Sequence, residues 1–160
     1  MRESPQSPIP EDRRASFASL PYFPVDPAYR VPAMLAPAPP GPVVEMPTST
    51  GQRRKMRRVG TLAFTLKGQA LSLGAFVEAD DKDMGRLFVP FGDLTNGPET
   101  YPGGRYLDLS RTASGVYDLD FNRAYHPFCV YNVSWDCPVP PKENHLPVAI
   151  RAGERLLAGK

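Results

Sequence analysis

Proline crowds both ends of this 160-residue chain and is missing from its middle. Twelve prolines fall in residues 1–47 and eight in residues 90–147, with none in 48–89. Proline has no backbone N–H to give to a helix or a sheet ladder, so the flanks hold the part of the chain least able to pack into regular structure. The clearest secondary structure is expected in the middle.

The middle has the period of a β-sheet. Leu62, Phe64 and Leu66 alternate with Thr61, Ala63 and Thr65, the pattern of a half-buried strand. Lys67-Gly68 supplies a hairpin turn, and residues 69–77 return with Leu71, Leu73, Ala75 and Val77 on one face. Further strands are expected at 29–35, where Pro32 implies a sheet edge, and at 43–46, 86–91 and 146–151. Residues 106–109 and 116–121 read as a hairpin closed by the turn at 110–115, with Leu107, Leu109, Tyr117, Leu119 and Phe121 available for the core. No amphipathic helix of useful length is found. The expected fold is all-β, an antiparallel β-sandwich or partly open β-barrel of about eight short strands with a proline-rich N-terminal arm.

The length suits one domain. Residues 1–16, rich in Ser, Pro and charge, are expected to be a disordered tail. Residues 17–155 are expected to form the single all-β domain, with 17–42 an extended arm packed on it that ends in the stiff APAPPGP linker, and 156–160 a frayed C-terminus.

A net charge of +2 gives no bulk electrostatic argument for nucleic acid or membrane. The basic run RRKMRR at 53–58 has no interleaved aromatics and reads as the solvated face of an exposed or edge strand rather than a phosphate-binding patch. The acidic run at 78–83 lacks the glycine and distal glutamate of a calcium loop and reads as a solvated turn. No apolar run is long enough to cross a bilayer, and the N-terminus carries charge and proline where a signal peptide needs an apolar core. A cytoplasmic protein with reduced cysteines is expected, with no nucleic-acid or membrane partner. The sequon Asn132-Val133-Ser134 is read as chance.

Chemistry concentrates in residues 120–147. That segment holds every cysteine and histidine, His126, Cys129, Cys137 and His145, and the sole tryptophan, Trp135. Two imidazoles and two thiols are a zinc ligand set, although the spacing is not that of a zinc finger and no cofactor is predicted outright. A second reading makes Cys129 or Cys137 a nucleophile with His126 as its base.

A third reading is a binding pocket without chemistry. In the expected hairpin, the glycine-rich loop at 92–104 and the segment at 122–145 converge at one end of the sheet. Arg105 follows Gly103-Gly104, whose amides form a candidate anion nest. Hairpin geometry sets Asp120 and Asn122 near it. Tyr101, Tyr125 and Asn144 are further candidates for the pocket, with Tyr106, Tyr131 and Trp135 as flat walls.

The strings TSTGQRRKMRRVGTLAF, LFVPFGDLTNGPETYPGGRYLDL, DLDFNRAYHPFCVYN and CPVPPKENHLPVAIRAGE, with FASLPYFPVDPAYRV ahead of them, resemble successive signature blocks of the bacterial family known as domain of unknown function 1684. The resemblance runs from residue 17 to residue 154 and implies no established activity. Pro98, His126 and His145 depart from the lysine, asparagine and arginine usual there, so it lends the two histidines no role. The expected function is therefore a non-catalytic domain binding a small ligand, an anion among the candidates, or a protein partner. The alternative is an enzyme or zinc protein using the Cys/His segment.

Overall fold

The computed structural model describes residues 21–37, 43–79, 86–110, 112–130 and 135–156. The tail at 1–16, most of the linker, the acidic run beyond Ala79, Tyr131, the sequon and residues 157–160 lie outside the described residues.

The described residues form seven strands: β1 (Arg30–Pro37), β2 (Val44–Pro47), β3 (Arg53–Leu66), β4 (Gln69–Glu78), β5 (Arg86–Phe91), β6 (Arg105–Ser110) and β7 (Val116–Asp120). All pair antiparallel in one sheet, in the order β6-β5-β4-β3-β1-β7, with β2 beside the first half of β3. The sheet curls until it nearly closes into a barrel. Its interior is filled from both ends of the strand order, by Leu62, Phe64, Leu73, Leu87, Leu107 and Leu119. Among the described residues no helix is long and apolar enough to cross a membrane.

The proline-free stretch supplies the spine. β3 and β4 form the longest ladder, turned at Lys67-Gly68, where both residues have positive φ as a tight hairpin requires. The basic run is not on an edge, because β3 continues through it between β2 and β4. One extra residue sits in this ladder, between Arg58 and Gly60. Side chains alternate with a period of two, so a one-residue bulge reverses which face the strand presents. Beyond it Leu62 faces the barrel interior opposite Leu73. Before it, Met56 joins Met46 and Phe76 in a second, smaller apolar cluster, against which Phe88 packs. The sheet is thus buried on both faces at this end.

Three sequence expectations change. β6 and β7 do not pair as a hairpin; β6 pairs with β5 and β7 with β1, and the two are the edges that meet across the seam of the barrel. Alternation reports which face a side chain occupies, and curling of the sheet decides which strand lies alongside. β1 is not an edge strand, but Pro32 lies where only β7 flanks it, since β3 joins from Met34 onward. Residues 146–151 form no strand. They are held by bonds from Leu146 N–H to Gly92 O and from Leu94 N–H to Val148 O, and by Ile150 N–H on the Asp93 carboxylate at 2.6 Å.

Candidate functional site: an aromatic cleft beneath a strap

Beyond β7, residues 121–130 and 135–139 lie against the outer face of the sheet and form a strap. Near the start, Tyr125 exchanges two backbone hydrogen bonds with Tyr106, closing the free edge of β6. Near the end, Ser49 N–H donates to Cys137 O and Val139 N–H to Pro47 O, joining the strap to the end of β2. Between these two attachments lie β5, β4 and β3. The strap's side chains complete the outer cluster: Cys129, Cys137 and Tyr106 are buried together, with Phe128 and Phe88 packed against them.

Strap and sheet enclose a cleft of about 400 Å³. Met56, Phe88 and Tyr106 line it from the sheet, and Phe128, Trp135 and Pro138 from the strap. The rings of Phe128 and Trp135 meet edge to face at 5.1 Å, and those of Phe88 and Tyr106 at 4.7 Å. Trp135 stays 39% exposed although it lines an apolar cavity. The charged lining is Arg54, Glu78, Arg86, Asp108 and Asp136. Arg54 is committed, donating to Asp136 O at 2.8 Å and lying 3.8 Å from the carboxylates of Glu78 and Asp136. Hydrogen bonds from Thr48 and Thr50, then Arg54, hold the Asp136 carboxyl below its ordinary range. The Arg86 side chain makes no hydrogen bond or ion pair among the described residues.

Both cleft phenols are held in the protonated form. Burial pushes Tyr106 up, and its hydroxyl donates to Pro138 O, fastening the strap. Burial, then its 2.6 Å hydrogen bond to Asp108, pushes Tyr125 up. Burial, with Cys129 beside it, pushes the Cys137 thiol up to about 11, and burial with the same neighbour pushes Tyr101 up to about 12. A thiol that holds its proton so firmly is a poor nucleophile at neutral pH.

The residues singled out in the sequence are spread over several places. Tyr125 lines the cleft, and Tyr101 packs beneath it with its hydroxyl 3.7 Å from Cys129 Sγ. Arg105 points into the barrel end and is sealed from solvent, its guanidinium donating to the carbonyls of Ile150, Ala152 and Glu154, 3.6 Å from Asp93. Asp120 and Asn122 fasten the N-terminal arm: Asn122 accepts from Asp26 N–H and donates to Asp26 O and to Asp120. No hydrogen bond or ion pair among the described residues joins these two to Arg105.

Asn144 replaces a piece of ladder. Phe76 pairs with Phe88, and the same register continued sets Gly74 opposite Pro90, which has no N–H to give. The Asn144 amide stands in that gap, accepting from Gly74 N–H at 2.7 Å and donating to Gly74 O at 3.0 Å and Pro90 O at 2.7 Å.

His126 is buried with both ring nitrogens engaged. Nε2 accepts from Tyr101 N–H at 3.2 Å, which leaves the ring proton on Nδ1, 3.1 Å from Glu154. A nitrogen already accepting a backbone N–H is not placed to take a proton from Cys129. The Cys129 N–H instead points at Cys137 Sγ, 3.3 Å away. His145 is exposed beside Gly92, and its ring lines a shallow hollow against β4. Among the described residues no group of three or more His, Cys, Asp or Glu side chains is placed to hold a metal ion.

Phe88, Phe128, Arg54, Arg86 and Asp108 also line the cleft and are not among the residues that stand out in the sequence. The signal was present in the alternation: Phe88 stands between inward Leu87 and Val89, and Phe76 between Ala75 and Val77. A large apolar residue at the outward position of a strand marks a second covered face.

A family model described as protein of unknown function (DUF1684) matches residues 15–155. The chain belongs to the DUF1684 family. Every residue of the cleft falls inside the matched span of this DUF1684 chain. The solution NMR structure of an uncharacterized protein of Haloarcula marismortui superposes with a TM-score of 0.78 at 42% identity, covering 97% of this chain and 85% of that one. No curated protein matches.

Proposed function

We propose that this DUF1684 protein is a non-catalytic binding domain whose site is the cleft between the strap and the outer face of β3–β6. The supporting observation is the half-exposed Trp135 and Phe128 pair roofing a 400 Å³ cavity with a ring-lined floor. Ligand sites are concave and mostly apolar, with a few convergent polar groups, and the raised Cys137 and Tyr106 make the walls unreactive at neutral pH. The ligand is a small molecule bearing a flat apolar group.

Trp135 is the only tryptophan, so its emission reports the cleft alone. Benzyl alcohol, a neutral ring of fitting size, is expected to shift that emission saturably and to raise the unfolding temperature. Phe128→Ala is expected to weaken both responses. Saturable binding unchanged in Phe128→Ala would place the site elsewhere, and no saturable response would end the proposal.

A further inference from the structure

Two opposite charges, Arg86 and Asp108, line this cleft from neighbouring strands with no ion pair between them. In the β5–β6 ladder Phe88 pairs with Asp108 and Arg86 with Ser110, so Arg86, Phe88 and Asp108 share the outer face, with the two charges on a cross-strand diagonal. Both line the cleft, and both act on the Tyr125 phenol, Asp108 by accepting its hydrogen bond. Some arginines elsewhere find carboxylates, Arg30 on Asp118 at 2.8 Å and Arg58 on Glu143 at 3.0 Å, while exposed Arg53, Arg57 and Arg123 pair with none among the described residues. Arg86 finds none among the described residues, although Asp108 is its neighbour.

We infer that the ligand is a zwitterion carrying an aromatic ring, an α-amino acid in its chemistry, with its carboxylate on Arg86, its ammonium on Asp108 and its ring against Phe128 and Trp135. This rests on the reading of the cleft as a ligand site. A lone anion on Arg86 would also meet Asp108, whereas Glu78, across from Arg86 when the Phe76–Phe88 register is continued, lies 3.8 Å from Arg54 and faces any carboxylate on Arg86 alike. A lone cation would meet Arg86. Only a ligand with both charges satisfies both groups without opposing either, and the ring walls add their attraction for a cation held near their faces.

The test holds the ring constant and varies the charge. Phenylalanine, 3-phenylpropanoate, 2-phenylethylamine and neutral benzyl alcohol are titrated into the full chain, followed by Trp135 emission and by unfolding temperature. Phenylalanine is expected to bind at least about tenfold more tightly than either singly charged probe, a difference of about 1.4 kcal/mol. Arg86→Gln, a change at an exposed position, is expected to bring phenylalanine down to the level of 2-phenylethylamine. A singly charged probe that matches phenylalanine, or an Arg86→Gln variant that binds it undiminished, overturns the inference. Benzyl alcohol binding without any gain for phenylalanine overturns it while leaving the cleft as a ligand site. Failure of all four probes overturns both.

Discussion

Replacing Asn144 tests whether a side-chain amide stands in for sheet ladder where Pro90 interrupts it. The side chain is fully buried and makes three hydrogen bonds of 2.7, 3.0 and 2.7 Å to Gly74 N–H, Gly74 O and Pro90 O. Asn144→Ala leaves one N–H and two carbonyls without those partners. Each buried polar group left unpaired costs roughly 1–3 kcal/mol, less for a carbonyl with a second partner, so the total is expected at about 3–5 kcal/mol. For a chain of 160 residues that is a fall in Tm of roughly 6–20 °C. Urea unfolding followed by Trp135 emission and far-UV circular dichroism should show a lower midpoint at an unchanged slope. Asn144→Asp separates hydrogen bonding from packing: the carboxylate still accepts from Gly74 N–H but faces two carbonyls it cannot donate to. It should be at least as damaging at neutral pH and recover in part on acidification, when a protonated carboxyl regains a donor. An aspartate variant within about 1 kcal/mol of the parent would refute the account.

Arg105→Met strips donors from three carbonyls and leaves Asp93 buried without its countercharge, so a loss of roughly 3–5 kcal/mol is expected in urea unfolding; combining it with Asp93→Asn should cost less than the sum, and simple additivity would show that the pair does not act together. Gly153→Ala should cost more than about 2 kcal/mol, because φ is +80° and the new Cβ would lie 2.7 Å from Phe121 O and Ala124 O. Gly68→Ala, at φ +82° with nothing within 4 Å, should cost only about 1 kcal/mol of backbone strain. Cys137 and Tyr101 are raised in the fold to about 11 and 12 from ordinary values of 9.0 and 10.0, so the folded chain keeps protons that the unfolded chain releases. Their contribution is whole below pH 9 and is lost as pH rises from about 9 to 12. Urea midpoints across that range should decline, and Cys137→Ala should flatten the lower part of the decline.

Much of the fold is legible in the chain because a hairpin is local. The alternation at Leu62, Phe64 and Leu66, the Lys67-Gly68 turn and the return through Leu73 need only neighbouring residues to be read, and the absence of proline from 48–89 marks where an unbroken ladder can run. The segment at 120–147 stands out by composition, and it does supply the roof of the cleft. The role of single residues is not legible in the same way. Arg105 looks like a free guanidinium beside two glycines, yet its partners are carbonyls 45 or more positions away. Asn144 and Pro90 act together across 54 positions, and no local pattern ties them.

The all-β class, the β3–β4 spine and the side chains that share a face are written in the order of residues along the chain. Those follow from backbone hydrogen-bonding capacity and a two-residue period, both of which act over a few residues. The partner of each strand and the two points where the strap is fastened depend on the folded chain. Curling the sheet sends β6 and β7 to opposite edges, the bulge at Val59 turns Met56 outward, and the strap, fastened at β6 and at β2, covers what that exposes. The cleft exists because side chains separated by dozens of residues must together bury a second apolar face, and the cost of leaving that face in water is paid or saved only by the whole chain at once.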